Sequence, residues 1–316
     1  MVHPAPNAHG HGIHAVDSGY VRASLDAIHL IVERGRAAVV DTGTSGSVPR
    51  VLDALAQLGL GREAVDWILV THVHLDHAGG AGALLRHLPN ARVVVHPRGA
   101  RHLADPSKLV AGTRAVYGET EFRRLYGEVV PVPQDRMVIA DDGLRLELAG
   151  RALGFLHTEG HARHHYCIHD PASGSVFAGD TFGISYREFD VDGREFIFPT
   201  STPTQFDPAA AHASVDRIAG LEPQQVFVTH YSRLGHVPEH AATLHRLLDA
   251  YVALAREAQH TPGPQAVLRA GMEALLRAEA RRHGVAMSDE QILSLLGMDI
   301  DLNAQGLAIW LEAGGA

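Results

Sequence analysis

The sequence predicts a layered α/β sandwich followed by a helical C-terminal region. Two groups of short apolar segments rich in β-branched residues have the length and composition of buried strands. Segments with helical apolar spacing separate these groups, and the last quarter of the chain contains only segments of the helical kind. Strand groups separated by helices favour a layered sandwich over a simple βαβ repeat. A chain of 316 residues is also long enough to bury a sizeable core.

The first strand group begins with a predicted hairpin. Residues 29–33 and 37–41 are apolar runs, and the Glu-Arg-Gly-Arg turn between them suits a hairpin connection. The elements predicted to follow are a loop at 42–47, a helix at 48–58, a buried strand at 66–71, a helix at 81–88 and a strand at 91–96.

The second strand group surrounds a helix with clear end signals. Asp207 suits the N-cap of this helix at 208–219, Pro208 suits its first position, and Gly220 suits its end. The predicted strands of the group are 144–148, 153–157, 166–169, 175–178 and, after the helix, 225–229.

The last quarter of the chain is predicted to be helical. Residues 241–259, 265–283 and 288–296 show helical apolar spacing, and Pro262-Gly-Pro264 separates the first helix from the second. We therefore expect a first domain at 12–236 and a helical region at 237–316 that packs on it. The helical region is expected to cover an active site, to form a homodimer interface, or to do both.

Composition and charge exclude several classes of partner. The net charge of -9 and the pI near 6.2 argue against nucleic acid or an anionic membrane as the main partner. A single cysteine, Cys167, rules out an internal disulfide and a cysteine-rich metal site. The N-terminus lacks a secretory pattern, and no uninterrupted apolar run approaches the roughly 18 residues of a membrane span. We expect a cytoplasmic protein with a small-molecule partner.

The 23 histidines include a dense cluster after the strand at 66–71. That strand leads directly into His72-Val-His74-Leu-Asp76-His77, which is followed by two glycines and a helix. Neutral imidazole and carboxylate are the ligands that suit zinc, iron and manganese. On an extended loop, His72 and His74 would point to one metal ion, and Asp76 and His77 to a neighbouring one. A solvated polar loop is the simpler alternative, which this spacing disfavours.

Later motifs extend this pattern into a family resemblance. Gly160-His161, Gly179-Asp180-Thr181 and Val228-Thr229-His230 occur in that order, each after a predicted strand or turn. With the 72–77 cluster and the early Asp41-Thr-Gly43, they resemble the metallo-β-lactamase superfamily over residues 12–236. The resemblance implies a four-layer αββα sandwich with a helical C-terminal extension, and makes 12–236 the catalytic domain.

The resemblance also implies a complete set of ligands for two metal ions. Three histidines are implied to bind metal one. An aspartate and two histidines are implied to bind metal two, and a further aspartate is implied to bridge the two ions. In this order, the residues are His72, His74 and His161, then Asp76, His77 and His230, with Asp180 as the bridge. Each position holds the expected residue type, and no cysteine replaces a ligand.

This ligand set implies a hydrolase. Two divalent ions about 3.5–4 Å apart hold a water and lower its pKa toward about 7. We expect Zn²⁺, with Fe and Mn as alternatives. Asp76 is placed to exchange a proton with the leaving group. Tyr231 is expected either to hydrogen-bond the developing oxyanion or to close the strand as a core residue.

Two further segments have open interpretations. Residues 158–165 resemble the Thr-x-Gly-His-Thr-x-Gly-His stretch of glyoxalase II and of lactonase-like relatives, and His165 falls at the second histidine. His165 is therefore either a support for a ligand or a surface residue, and His164 is an equally good surface candidate. The aromatic segment 182–206 is expected to wall a substrate pocket or, alternatively, to form a hairpin with its own small core.

Three reactions suit the implied scaffold. Hydrolysis of an ester, thioester or lactone, as in glyoxalase II, is favoured by residues 158–161 and by the intact ligand set. The Gly-Cys-Gly-Arg-Phe-Phe stretch of that family is missing after Asp180, which argues against a glutathione thioester. A persulfide dioxygenase is the alternative, with a single iron held by His72, His161 and Asp180. A phosphodiesterase is the third, disfavoured by the acidic balance.

Overall fold

The computed structural model describes residues 3–201 and 205–315. By their contacts these residues fall into two compact units. The first contains 3–157, 164–179 and 226–233, and the second contains 158–163, 180–201, 205–225 and 234–315. The predicted boundary at 236/237 therefore differs from this division, in which the segment after Asp180 groups with the C-terminal helices. The domain limits of 12–236 and 237–316 stay a prediction.

The first sheet occupies the N-terminal part of the first unit. Its strands lie side by side in chain order; β1–β4 are antiparallel and β4–β7 are parallel. They are β1 (Asn7–Ala8), β2 (Ile13–Asp17), β3 (Ala27–Glu33), β4 (Arg36–Val40), β5 (Val65–Leu69), β6 (Arg92–Val95) and β7 (Met137–Ile139). The predicted hairpin at 29–41 is confirmed as β3 and β4.

Helices connect these strands. They are α1 (Val48–Gln57), α2 (Leu75–Ala78), α3 (Ala81–Leu85), α4 (Pro97–Ala104), α5 (Ser107–Tyr117) and α6 (Glu119–Tyr126). The helices predicted at 48–58 and 81–88 are confirmed as α1 and α3, although α3 ends earlier. Helices α4, α5 and α6 were not predicted from the sequence. α5 has no buried residue, so it lacks the apolar periodicity from which a helix is recognised.

The second sheet has the strand order β13-β12-β11-β10-β9-β8. The strands are β8 (Arg145–Leu148), β9 (Arg151–His157), β10 (Tyr166–Asp170), β11 (Ser175–Gly179), β12 (Gln225–Val228) and β13 (Ser232–Leu234). The predicted strands of the second group are confirmed as β8–β12, each within two residues at either end.

Two apolar cores hold the first unit together. Ile31 and Leu69 of the first sheet pack with Phe155 and Phe177 of the second, so the sheets face each other. The opposite face of the first sheet packs against α1 and α3. Alternate residues of β4 therefore enter different cores, and the strand is apolar throughout. This explains why the buried strands appear in the sequence as continuous apolar runs.

The second unit is mainly helical. Its helices are α7 (Pro208–Ala219), α8 (Val237–Ala258), α9 (Pro264–His283) and α10 (Asp289–Glu312). The predicted C-terminal helices are confirmed as α8–α10, but α10 extends well beyond the predicted end at 296. Among the described residues, α10 alone is long and apolar enough to cross a membrane, and half of its apolar window is buried within the protein. A core helix has the same composition, so this is weak evidence for a membrane span.

The aromatic segment of the second unit forms its own core. Phe189 stacks on Phe196 with ring centroids 5.1 Å apart, and Phe196 lies 5.9 Å from Phe198. An antiparallel bridge joins Ile184 to Phe198. These aromatic side chains are fully buried. This local core is what the hairpin interpretation of 182–206 predicts for the described residues, and residues 202–204 lie outside the described part of the chain. The role of the segment as a pocket wall stays a prediction.

The N-cap of α7 offers a test of this local structure. The Asp207 carboxylate accepts a hydrogen bond of 3.0 Å from the Ala210 amide, as the sequence predicts. Asp207→Ala should lower the free energy of unfolding by about 1 kcal/mol, measured by urea denaturation. Asp207→Asn retains a capping oxygen and should lose much less. Equal losses in both variants would mean that the side-chain cap is not the source of the stability.

Candidate metal centre

The candidate site of the first unit lies where several strands end. Asp41 follows β4 and Thr71 follows β5, and these strands are parallel. Their carboxyl ends therefore meet, and the Asp41 amide donates a 2.9 Å hydrogen bond to the carbonyl of Leu69. Thr229 follows β12 of the second sheet and donates from its hydroxyl to Asp41 at 3.0 Å. Residues distant in sequence thus come together at one edge.

Asp41 is the buried carboxylate that organises this edge. Its oxygens accept hydrogen bonds from the Thr71 amide at 2.8 Å, from the Thr71 hydroxyl at 2.9 Å and from the Thr229 hydroxyl. His77 Nδ1 lies 2.8 Å from Asp41 Oδ2. A carboxylate at Nδ1 fixes the tautomer and the ring plane of a histidine and directs Nε2 toward a metal. Asp41 therefore positions His77.

A second buried carboxylate positions His230. Asp26 Oδ1 lies 2.7 Å from His230 Nδ1, and the Leu25 carbonyl lies 3.3 Å from the same nitrogen. Burial raises the pKa of Asp26 to about 6, and the neighbouring His230 opposes this rise. The sequence analysis missed Asp26. Its only signal is a lone carboxylate directly before the apolar run of β3, which is too weak to identify a partner so far along the chain.

Asp76, His77 and His230 form a convergent group. Asp76 Oδ2 lies 3.7 Å from Nε2 of His77 and 3.7 Å from Nε2 of His230. The three potential ligand atoms all lie within 4.8 Å of one another. Two imidazole nitrogens and one carboxylate oxygen facing a common point are a donor set that fits a divalent transition metal. The structure therefore brings together the three residues predicted for metal two.

The backbone around this group differs from the predicted extended loop. Residues 75–78 form the helical turn α2, so Asp76 and His77 project from a helix rather than from an extended chain. Gly80 follows, and a Cβ there would lie 2.7 Å from the Thr44 carbonyl oxygen and 2.9 Å from that of Thr42. Only glycine allows this close approach.

His72 and His74 form a second pair in the first unit. His72 Nε2 lies 2.9 Å from His74 Nδ1, and His72 is fully buried. The ring of His165 stacks on His72 with centroids 4.9 Å apart, which agrees with a supporting role. His164 is also buried, so its interpretation as a surface residue is wrong. Burial, with a further contribution from His74, lowers the pKa of His164 to about 2.

His161 and Asp180 form a buried pair in the second unit. His161 Nε2 lies 3.5 Å from Asp180 Oδ2. A Cβ on the preceding Gly160 would lie 2.4 Å from the Ala211 backbone, which explains the glycine there. The pair lines a cavity with Thr181, Pro199 and Thr200 and with Ala211 and Val215 of α7 and Leu244 and Leu248 of α8. This cavity therefore has polar groups on one side and aliphatic side chains on the other.

Tyr231 packs in the first unit with Ala15 and Ala27 and is buried. This packing is what the core interpretation predicts. A contribution of its phenol to oxyanion stabilisation stays a prediction, as do the metal-binding roles of the seven histidines and aspartates.

Comparison with known proteins identifies the family. A donor set of histidines and aspartates at strand ends, in a two-sheet α/β fold, is typical of a metalloenzyme scaffold. The model of the metallo-beta-lactamase superfamily matches residues 27–230. The chain belongs to the metallo-β-lactamase superfamily, and the predicted family and fold class are confirmed.

Individual relatives are similar at modest identity. The chain is 31% identical over 196 residues to a hydroxyacylglutathione hydrolase of Aeromonas salmonicida (strain A449). The aligned region covers 61% of this chain and 56% of that relative. The chain is 25% identical over 226 residues to the metallo-beta-lactamase fold-containing protein ST1585 of Sulfurisphaera tokodaii, which covers 69% of this chain and 78% of that one. The chain thus spans little more than half the length of the Aeromonas relative.

Solved structures support the same fold. The metallo-beta-lactamase family protein TTHA1429 from Thermus thermophilus matches with a TM-score of 0.66 and 22% identity, covering 96% of this chain and 94% of that chain. The structure of ST1585 matches with a TM-score of 0.65 and 21% identity, covering 94% and 98%. At this identity the matches establish the fold.

Asp41→Asn tests the positioning of His77. The amide preserves the shape of the side chain but removes its charge and cannot accept every hydrogen bond that Asp41 accepts. We expect the affinity for Zn²⁺ to fall about 10- to 100-fold, measured by competition with a chelator. Asp141→Asn, at an exposed aspartate of the same unit, is the matched control and should bind like the wild type. Unchanged affinity in Asp41→Asn would contradict the positioning role.

Proposed function

We propose that this protein is a metal-dependent hydrolase that cleaves an ester, thioester or lactone bond. The observation that carries the proposal is the convergence of Asp76, His77 and His230, with both histidines held at Nδ1 by buried carboxylates. Membership of the metallo-β-lactamase superfamily and similarity to relatives named hydroxyacylglutathione hydrolase support it.

The proposed ligand set has two parts. The first unit supplies the pair His72 and His74 and the group of Asp76, His77 and His230. The order of motifs along the chain supports His161 as the third ligand of metal one and Asp180 as the bridging ligand. When bound, two divalent ions, for which we propose Zn²⁺, would supply a hydroxide at neutral pH and polarise the substrate carbonyl. The remaining chemistry depends on side chains of the chain itself.

Asp76 is proposed to exchange a proton with the leaving group. Its side chain is 22% exposed, whereas His77 is fully buried, so Asp76 is the member of the group that solvent and substrate can reach. Two phenols lie within electrostatic range of Asp76: Tyr20 and Tyr126, whose hydroxyls are 2.7 Å apart. Burial and the Asp76 charge raise the pKa of both phenols, so they remain protonated and act as neutral hydrogen-bonding groups.

The proposed substrate is a small or medium neutral acyl compound. The aliphatic side chains that face His161 and Asp180 in the second unit give an acyl group apolar contact area. Because the Gly-Cys-Gly-Arg-Phe-Phe stretch is missing after Asp180, we propose an acyl carrier other than glutathione. The net charge of -9 argues against a polyanionic substrate such as a nucleic acid.

Metal analysis with a substrate panel tests this proposal. Protein purified without added metal should contain at least two metal ions per chain and should turn over a thioester or lactone in preference to a phosphodiester or a chromogenic β-lactam. It should consume no oxygen with glutathione persulfide. Asp76→Asn should lower kcat at least about 100-fold. One iron per chain with oxygen uptake would support a persulfide dioxygenase instead, and preferred turnover of the phosphodiester would overturn the choice of substrate.

The bridging assignment makes a separate prediction. Asp180→Ala should abolish activity and reduce the content of both metal ions, because one carboxylate would serve both. His77→Ala should reduce mainly the content of metal two. The readout is metal content per chain after dialysis, with Asp141→Ala as the control. Full metal content and turnover in Asp180→Ala would show that Asp180 does not bridge the ions.

A further inference from the structure

Three potential metal ligands of the second unit lie outside the predicted set. Glu195 Oε2 lies 3.1 Å from His236 Nδ1 and 3.3 Å from His240 Nε2. All three potential ligand atoms lie within 4.8 Å of one another. His236 precedes α8 and His240 lies one turn into it, so the spacing of four residues puts both imidazoles on one side of the helix. The sequence alone assigns no role to these two histidines.

The Glu195 carboxylate contacts an amide and two imidazoles rather than an arginine. Its Oε1 accepts a 3.0 Å hydrogen bond from the Gly235 amide, and both imidazoles contact its Oε2. Within the described part of the chain, no arginine or lysine lies within ion-pair distance of this carboxylate. The guanidinium of the neighbouring Arg194 donates to the His283 carbonyl instead. A carboxylate that is only 12% exposed is costly without a cationic partner, and a metal ion bound beside it would supply that positive charge.

The environment of Glu195 favours its ionised form. The Gly235 amide donates to its Oε1, and a backbone hydrogen bond of this kind favours a carboxylate over the neutral acid. An ionised carboxylate beside two imidazoles has the chemistry of a zinc site. The Gly235 amide fixes one carboxylate oxygen and leaves the other directed at the histidines.

The distances match those within a coordination sphere. With Zn–N and Zn–O bonds of about 2.0–2.2 Å, the edge of a tetrahedron around zinc is about 3.3–3.6 Å. The two edges from Glu195 Oε2 measure 3.1 and 3.3 Å. We propose that Glu195, His236 and His240 form a further binding site for a divalent transition-metal ion, Zn²⁺ by its ligand set, with water as the fourth ligand.

The position of the site indicates a structural role. An antiparallel bridge between Val191 and Arg194 forms a tight turn, and Glu195 follows it directly. His236 and His240 belong to the start of α8. A bound ion would therefore join the 191–195 turn to the first turn of the helix. His236, with 55% of its side chain exposed, gives the ion a route from solvent and leaves room for a water ligand.

Zinc stoichiometry in matched variants tests the site. Metal-free protein is dialysed against Zn²⁺, and bound zinc is counted per chain. Wild type and His260→Ala, which removes an exposed histidine of the same unit, should bind one equivalent more than His236→Ala and His240→Ala. Glu195→Gln retains the shape of the side chain and should weaken the affinity for that equivalent at least about tenfold. Circular dichroism on each variant verifies that the helices remain folded.

Cobalt provides a second readout at the same site. Difference spectra between Co²⁺-loaded wild type and His240→Ala should show visible d–d bands of a low-coordinate ion, which His260→Ala retains. Equal zinc stoichiometry and affinity in wild type, His236→Ala and His240→Ala would overturn the proposal. The three side chains would then only hydrogen-bond to one another. Hydrolysis assayed in parallel separates this result from the proposed activity, because neither His236 nor His240 belongs to the proposed active site.

Discussion

The geometry of the candidate metal centre in the first unit depends on the buried carboxylate of Asp41. This one side chain binds the end of β5 through Thr71, the end of β12 through Thr229, and the imidazole of His77. Burying a carboxylate destabilises the folded state unless its oxygens accept hydrogen bonds. The folded structure therefore needs both strand ends and the histidine in place around Asp41. The interaction that closes the edge of the two sheets is therefore also the one that orients a ligand, and fold and site are specified by the same contacts.

The pairing of carboxylate with histidine occurs twice in this centre. Asp41 lies behind His77 and Asp26 lies behind His230, and the Nε2 atoms of both histidines lie at the same distance from Asp76. Histidine alone does not identify a ligand. His29 is equally buried, but it contacts the Ser232 hydroxyl, and burial lowers its pKa to about 3. His77 and His230 differ from His29 in two ways. Each has a carboxylate at Nδ1, and the Nε2 atom of each faces the same carboxylate oxygen of Asp76.

The sequence was sufficient wherever the signal is local. The continuous apolar run before the 72–77 cluster predicted β5, and Asp207 and Gly220 predicted the ends of α7, and the structure confirms both elements. The metal-binding role of the cluster stays a prediction. The signals failed where long-range packing decides. Asp26 acquires its role only from His230, about two hundred residues later, and the aromatic residues after Asp180 proved to pack on one another. Apolar periodicity also did not predict α5, because none of its residues is fully buried.

The central claim is that Asp76, His77 and His230 bind a metal ion, held in place by Asp41 and Asp26. The most direct test is anomalous X-ray diffraction from crystals of the metal-loaded protein, recorded at the absorption edge of the bound metal. The account predicts an anomalous peak about 2.0–2.2 Å from a carboxylate oxygen of Asp76 and from Nε2 of both histidines. A peak that none of these three side chains coordinates, with their ligand atoms bound only to water, would contradict it.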